Sequence, residues 1–240
     1  MTSTWVLGDI HGCAEELGEL LEGLALGPDD RLISVGDLYH RGPDPVGVMD
    51  LLAGVENFSL VLGNHELAML RRNGMEGELS DGSDFKPLPE GIETLAPELL
   101  LGDGGTPIGD IPSSRSADLV RFLEGRPFYL EGETANRPWW VVHAGVIPGR
   151  KPQDCTPFQL ARLRRLGDDS GAPFWYEVHE GPRLVLFGHT PSKFPRTRFS
   201  GDSLVALGLD TGCVYGGCLT AWRLEDEEFH TVPAKRDWAG

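Results

Sequence analysis

The chain has 240 residues, of which 40% are hydrophobic and 24% charged, as is usual for a globular protein. We expect residues 1–240 to form a single domain. No apolar run approaches the roughly 20 residues that a membrane-spanning helix needs, and the early first strand predicts no signal peptide. The formal net charge of −16 argues against binding to nucleic acid or to anionic membranes. We therefore expect a cytoplasmic protein, with its oligomeric state open.

Four cysteines are spread through the chain without paired short spacing: Cys13, Cys155, Cys213 and Cys218. This spacing argues against a disulfide framework and against a thiolate zinc site. We expect all four to be reduced thiols.

The first half of the chain alternates predicted strands and helices. Short apolar runs predict the strands, and apolar residues at helical spacing predict the helices. The elements are a strand from Trp5, a helix at 14–26, a strand at 31–35, a helix at 44–53, a strand at 58–62 and a helix from Asn64. This alternation predicts a mostly parallel sheet.

The second half is richer in predicted strands. Residues 73–112 are rich in glycine, proline and acidic residues, which predicts a cap-like surface insertion beside the site. Helices follow at 116–124 and 158–166, and strands separated by glycine-rich turns begin near 183, 204 and 218. The fold class is therefore expected to be α/β (α+β), a central β-sandwich flanked by helices.

Six apolar runs end at residue types that bind metals. In open α/β sheets, sites form outside the carboxyl ends of the strands. We therefore expect the side chains at these ends to converge: Asp9, His11, Asp37, Asn64, His65, His143, His189 and Asp210. Their mixture of carboxylate, imidazole and amide predicts a pair of divalent cations. Such nitrogen and oxygen donors favour manganese, with cobalt, iron or zinc as alternatives, over magnesium alone.

Any one of these motifs is a weak signal. An Asp after a strand, such as Asp9, is often a turn former, and Asn64 stands where an asparagine caps a helix. Repetition strengthens the interpretation, because five of the seven histidines lie inside the motifs.

The motifs G-D-I-H-G, G-D-L-Y-H-R-G, G-N-H-E, H-A-G and G-H-T occur in this order between Gly8 and Thr190. They resemble the phosphoprotein phosphatase-type metallophosphoesterases, over nearly the whole chain. The resemblance implies the calcineurin-like fold, with two β-sheets packed in a sandwich between helices. It also implies a hydrolase in which a hydroxide between two cations attacks phosphorus in line.

Carried over residue by residue, the resemblance makes Asp9 and His11 ligands of a first metal and Asp37 the bridge between both metals. Asn64, His143 and His189 would hold the second metal. A bridging position favours a carboxylate, since a neutral imidazole or amide supplies no charge to two cations.

Three basic residues are predicted to act on substrate. By resemblance, His65 is the general acid and Arg41 binds phosphate through its planar guanidinium. Arg164 is the best candidate for a second phosphate-binding arginine, because it borders a predicted buried stripe on the helix at 158–166. A solvated helix face explains Arg164 equally well.

His40 departs from the family pattern. Protein phosphatases of this family carry an aspartate at that position, which supports the acid histidine. A histidine there cannot supply the negative charge, so the departure favours a substrate with a good leaving group, such as a nucleotide. We therefore count His40 among the substrate-binding residues.

The segment 209–221, L-D-T-G-C-V-Y-G-G-C-L-T-A, resembles the closing segment of the diadenosine tetraphosphatase branch of the family. Within it, Asp210 is predicted either to orient a ligand histidine or to cap a turn. Four aromatic residues could stack on a base, although core packing explains most of them: Tyr39, Trp175, Tyr176 and Tyr215.

The sequence thus predicts symmetrical cleavage of a small molecule, diadenosine tetraphosphate, to two ADP. The alternative is a bacterial phosphoprotein or phosphomonoester phosphatase with the same metal site. A third possibility, an inactive nucleotide-binding protein, is disfavoured because His65 and Arg41 are both present.

Overall fold

The computed structural model describes residues 2–72, 113–134, 137–167 and 169–239. The expected cap-like insertion at 73–112 lies outside these ranges. The strands of the described part are β1 (Thr4–Leu7), β2 (Arg31–Ser34), β3 (Phe58–Leu60), β4 (Tyr129–Thr134), β5 (Arg137–Val142), β6 (Leu184–Phe187), β7 (Arg196–Ser200), β8 (Ser203–Gly208), β9 (Cys218–Arg223) and β10 (Phe229–Pro233). The α-helices are α1 (Ala14–Leu24), α2 (Pro45–Ala53), α3 (Asn64–Arg72), α4 (Ser113–Leu123) and α5 (Pro157–Arg162).

The strands form two five-stranded mixed sheets. The first has the order β10-β9-β1-β2-β3 and the second the order β4-β5-β6-β8-β7. In each sheet three strands are parallel, β1, β2 and β3 in the first and β5, β6 and β8 in the second. Antiparallel strands flank each parallel set. The parallel first half was thus predicted correctly.

Three hydrophobic clusters separate the layers. Between the sheets, Val6 and Ile33 of the first sheet share a cluster with Val141 and Leu186 of the second. Because successive strand residues point to opposite faces, Leu7 belongs instead to the cluster under α1 and α2. In the same way, the outer face of the second sheet packs its own cluster against α5. The fold is therefore a β-sandwich flanked by helices, as expected.

Helix α1 shows how the sequence determines one flank. Leu17, Leu20 and Leu24 are buried at helical spacing, and Glu15 and Glu16 lie in the first turn, where the helix dipole favours acids. The helix ends at Leu24, two residues before the predicted end, because Ala25 adopts a left-handed conformation.

Helix α5 is shorter than the predicted span of 158–166. It starts at a capping box formed by Thr156 and Gln159. It ends at Arg162 because the backbone then pairs with another segment: the carbonyl of Arg164 accepts a hydrogen bond from the N–H of Trp175. Arg164 therefore lies beyond the helix, and its prediction as a residue on the helix face is wrong.

No helix in the described ranges is long and apolar enough to cross a membrane. All four cysteines are free thiols.

Candidate metal centre

The carboxyl ends of the six parallel strands lie at one edge of the sandwich. The first sheet contributes Asp9 and His11 after β1, Asp37 after β2, and Asn64 after β3. The second sheet contributes His143 after β5, His189 after β6 and Asp210 after β8. All seven side chains are buried. The convergence predicted from the six apolar runs is therefore present, and it requires both sheets.

Asp37 lies at the centre of the cluster. Its Oδ2 atom is 3.4 Å from Nε2 of His143, 3.6 Å from Nε2 of His11 and 4.0 Å from Nε2 of His65. Potential ligand atoms of Asp37 with His11 and His65, and of Asp37 with His143 and His189, lie within 4.8 Å of one another. One carboxylate thus faces two groups of imidazoles, the position that a bridging ligand occupies.

His143 is held by hydrogen bonds at both ring nitrogens. Nδ1 lies 2.8 Å from the carbonyl oxygen of Val35, and Nε2 lies 3.0 Å from Oδ1 of Asn64. Burial lowers the pKa of His143, but the carboxylates of Asp37, Asp9 and Glu66 together outweigh burial and raise the pKa to about 9. A cation bound at Nε2 would therefore have to displace a proton.

The other two histidines among the candidate ligands, His11 and His189, are in the neutral form that binds metals. Burial lowers the pKa of His11 to about 3. Burial, together with the positive charge of Arg164, holds the pKa of His189 well below its usual range. Both rings therefore offer a lone pair at neutral pH.

The carboxylates are crowded in a way that favours a cation. Burial raises the pKa of Asp9 well above its usual range, and the nearby Asp210 raises it further. The carboxylate of Asp9 accepts hydrogen bonds from the backbone N–H of His189, at 3.0 and 3.2 Å. Buried acids of this kind are stabilised by metal charge, so the donor set fits divalent cations.

Backbone strain is concentrated at the site. Six non-glycine residues of the described ranges have positive φ, and four of them are candidate site residues: His11 (50°), Asp37 (54°), Arg41 (78°) and His189 (66°). Such conformations cost of the order of 1–3 kcal/mol each and persist where the surroundings impose them. The fold therefore stores strain to aim these side chains.

Glu66 supplies part of that constraint, although its position in the sequence does not predict this role. Its Oε2 accepts hydrogen bonds from the backbone N–H groups of Asp37 (2.8 Å) and Gly63 (2.9 Å), and Oε1 accepts from Leu38 (2.8 Å). The side chain is fully buried. The sequence signal that could have revealed the role of Glu66 is an acidic residue that stands between His65 and the apolar residues 67–70 of α3.

A cavity of about 250 Å³ opens over these residues. Arg41 and Arg164 both line it, so the structure brings the two predicted phosphate-binding arginines together. Nη1 of Arg41 lies 3.2 Å from Nε2 of His11, and Nη2 of Arg164 donates a hydrogen bond to the carbonyl of His189 at 2.9 Å. A cation bound at Nε2 of His11 would require the Arg41 guanidinium to move away from that nitrogen.

Of the four aromatic residues named from the sequence, only Tyr215 is exposed, and it lines the cavity. The Arg41 guanidinium lies over its ring, 5.8 Å from the centroid. Tyr39, Trp175 and Tyr176 are buried, in agreement with core packing.

His65 and His40 lie side by side. Their ring centroids are 4.4 Å apart, and both side chains are buried. His65 lines the cavity, whereas His40 is not among the lining residues. His40 thus touches the predicted general acid directly, at the position where the family pattern has an aspartate.

Asp210 borders the cavity, and its Oδ1 accepts a hydrogen bond from the backbone N–H of Gly212 at 3.0 Å. This contact is that of a turn cap. A role for Asp210 in orienting a histidine stays a prediction.

Comparison with known proteins agrees with this geometry. A family model described as calcineurin-like phosphoesterase matches residues 2–193. The chain is 30% identical to a symmetrical bis(5'-nucleosyl)-tetraphosphatase of Erwinia tasmaniensis, covering 98% of each chain. It is 29% identical to an asymmetrical bis(5'-nucleosyl)-tetraphosphatase of Geobacillus thermodenitrificans, covering 95% and 93%. A crystal structure described as a "putative diadenosine tetraphosphatase" superposes with a TM-score of 0.71 at 26% identity, covering 97% and 94%.

Glu66→Gln is expected to weaken metal binding. The amide would place an N–H₂ donor against backbone N–H donors and loosen the Asp37 loop. Loss of such a supporting contact should lower metal affinity by about 10–100-fold, measured by calorimetric titration of the metal-free protein with manganese. Glu22→Gln, on the exposed face of α1, is the matched control. Equal affinities for the two variants would contradict the role of Glu66.

Metal removal should destabilise the protein more at high pH than at low pH. Burial raises the pKa of Asp210 to about 6 and that of Glu66 to about 7. An acid whose pKa is raised on folding makes stability fall as pH rises from its unfolded value, about 4, to its folded value. The protonated His143, with its raised pKa of about 9, adds stability that is lost as pH rises through that value.

The gap in melting temperature between manganese-loaded and chelator-treated protein should therefore widen from about pH 4 to about pH 9. Differential scanning calorimetry at constant ionic strength measures it. A gap that does not change with pH would show that these groups do not compete with the metal.

Proposed function

The chain belongs to the calcineurin-like phosphoesterase family, and from this membership we propose that it hydrolyses diadenosine tetraphosphate symmetrically to two ADP. We further propose that Asp9 and His11 hold one cation, that Asn64, His143 and His189 hold a second, and that Asp37 bridges them. Manganese is the proposed metal. When bound, the cations supply a nucleophile at neutral pH and positive charge for the phosphoryl oxygens.

One observation carries the choice of substrate: two arginines enter the cavity that the candidate ligands line. A polyphosphate offers anionic groups on both sides of the bond that breaks, and two separate guanidinium groups could bind one on each side. Arg41 and Arg164 approach from different segments, one beside His11 and the other beside His189. With a net charge of −16 on the whole chain, these local cations are needed to attract an anion.

The leaving group in this reaction is ADP. His65 lines the cavity beside Asp37 and is the proposed proton donor to the leaving oxygen. His40 lies against it and adds no negative charge. A nucleotide leaves readily without strong acid assistance, so this pair suits a nucleotide better than a serine alkoxide.

The exposed ring of Tyr215 gives a nucleoside a surface to stack on. The proposed cation ligands come from both sheets, which supports a single catalytic domain. Four free cysteines support a cytoplasmic location for it.

Product analysis tests the proposal. The manganese-loaded protein should convert diadenosine tetraphosphate to ADP alone, resolved by ion-exchange chromatography, and Asp37→Asn should remove turnover because the central carboxylate is lost. ATP plus AMP would assign asymmetrical cleavage, the name that some relatives carry. A higher kcat/KM for a phosphopeptide would favour the phosphatase alternative.

His40→Asp should shift selectivity toward poor leaving groups. The aspartate would place a negative charge against His65 and favour its proton-donating form. We expect kcat/KM for a phosphoserine peptide, relative to diadenosine tetraphosphate, to rise about tenfold.

His40→Asn, which changes size without adding charge, is the control for this substitution. An equal ratio of the two specificity constants in both variants would show that the charge at this position does not select the leaving group.

A further inference from the structure

A second cluster of side chains that could hold a metal lies beside the hydrophobic core under α1. Cys13 and Cys213 are 200 positions apart in the sequence, yet their sulfur atoms and a carboxylate oxygen of Glu16 lie within 4.8 Å of one another. The three residues are buried, with exposed fractions of 0%, 2% and 0%. Cysteine spacing argues against a thiolate site only for cysteines that are close in the sequence, and these two are brought together by the fold.

Only one carboxylate oxygen of Glu16 has hydrogen-bond partners among the described residues. Oε1 accepts hydrogen bonds from the backbone N–H of Lys235 at 2.9 Å and from Nε1 of Trp238 at 3.0 Å. Oε2 is buried and has no hydrogen-bond partner among the described residues. An unsatisfied buried carboxylate oxygen is costly, and a cation would satisfy it.

The donor atoms indicate which cation. Two sulfurs and one carboxylate oxygen are ligands of zinc, whereas manganese and magnesium prefer oxygen. We propose that Cys13, Cys213 and Glu16 form a second metal site, for a zinc-like divalent cation, separate from the phosphoesterase centre. Zinc binds cysteine as thiolate, so each thiol releases its proton to solvent as the metal–sulfur bond forms.

The position of the site gives it a structural role. Cys13 is the N-cap of α1 and follows His11 by two residues. Cys213 follows Asp210 by three residues, and Glu16 is bound by the C-terminal segment. A cation held here would tie the loops of both sheets to the C-terminal segment. This inference does not depend on the proposed substrate.

Cobalt(II) spectroscopy on the full-length protein tests the proposal. Thiolate ligands give cobalt an intense near-ultraviolet charge-transfer band, which the nitrogen and oxygen donors of the phosphoesterase centre cannot produce. We expect this band in the wild type, and we expect zinc added in equimolar amount to remove it. Absence of the band at saturating cobalt would overturn the proposal without affecting the phosphoesterase assignment.

Variants assign the ligands. Cys213→Ser should weaken the band because cobalt loses one of its two thiolates, and Glu16→Gln should weaken cobalt binding at this site by at least about tenfold. Cys155→Ser is the matched control, since Cys155 packs in the cluster beneath α5. A band of unchanged intensity in Cys213→Ser, or loss of the band in Cys155→Ser, would contradict the site.

Circular dichroism establishes that each variant is folded. Should Cys213→Ser fail to fold, Cys13→Ala removes the other sulfur and must also weaken the band.

Discussion

The site depends on one carboxylate placed where the two sheets meet. Oδ2 of Asp37 lies within 4.0 Å of imidazole nitrogens of His11, His65 and His143. His143 comes from the second sheet, whereas the others come from the first. A carboxylate among neutral rings is stable only if positive charge is present, and a proton on His143 supplies it in the metal-free protein. A bound cation would supply the same positive charge. The packing of the two sheets and the metal centre therefore both require positive charge beside Asp37.

The surrounding backbone has little freedom to relax. Asp37 has a positive φ, and a side chain at Gly63 would collide with its carboxylate. A side chain at Gly188 would collide with Asp9 in the same way. Glu66 then ties the loops of Asp37 and Gly63 together through three backbone N–H groups. Glycines that allow close approach and a buried acid that prevents movement together hold the ligands in position.

The sequence predicted what local patterns determine. Apolar runs located the parallel strands, and the residue after each run located the converging side chains. Prediction from the sequence failed where the interacting residues are distant along the chain. For example, α5 ends early because the backbone after it pairs near Trp175. Arg164 reaches the cavity from beyond that helix, so helical periodicity placed it in the wrong element. Glu66 and the Cys13–Cys213 pair were missed because their partners are revealed only by tertiary contacts.

The two clusters differ in the atoms that they offer, and this difference can separate their cations. The phosphoesterase centre presents nitrogen and oxygen, while the Cys13 cluster presents sulfur with one carboxylate oxygen. Softer sulfur donors favour zinc, and harder donors leave manganese able to compete. Only Gly12 stands between His11 and Cys13, so the β1–α1 loop contributes to both clusters. A cation at the cysteines would therefore act on the conformation of His11, whose φ is 50°, through the short segment 11–13, without sharing a ligand.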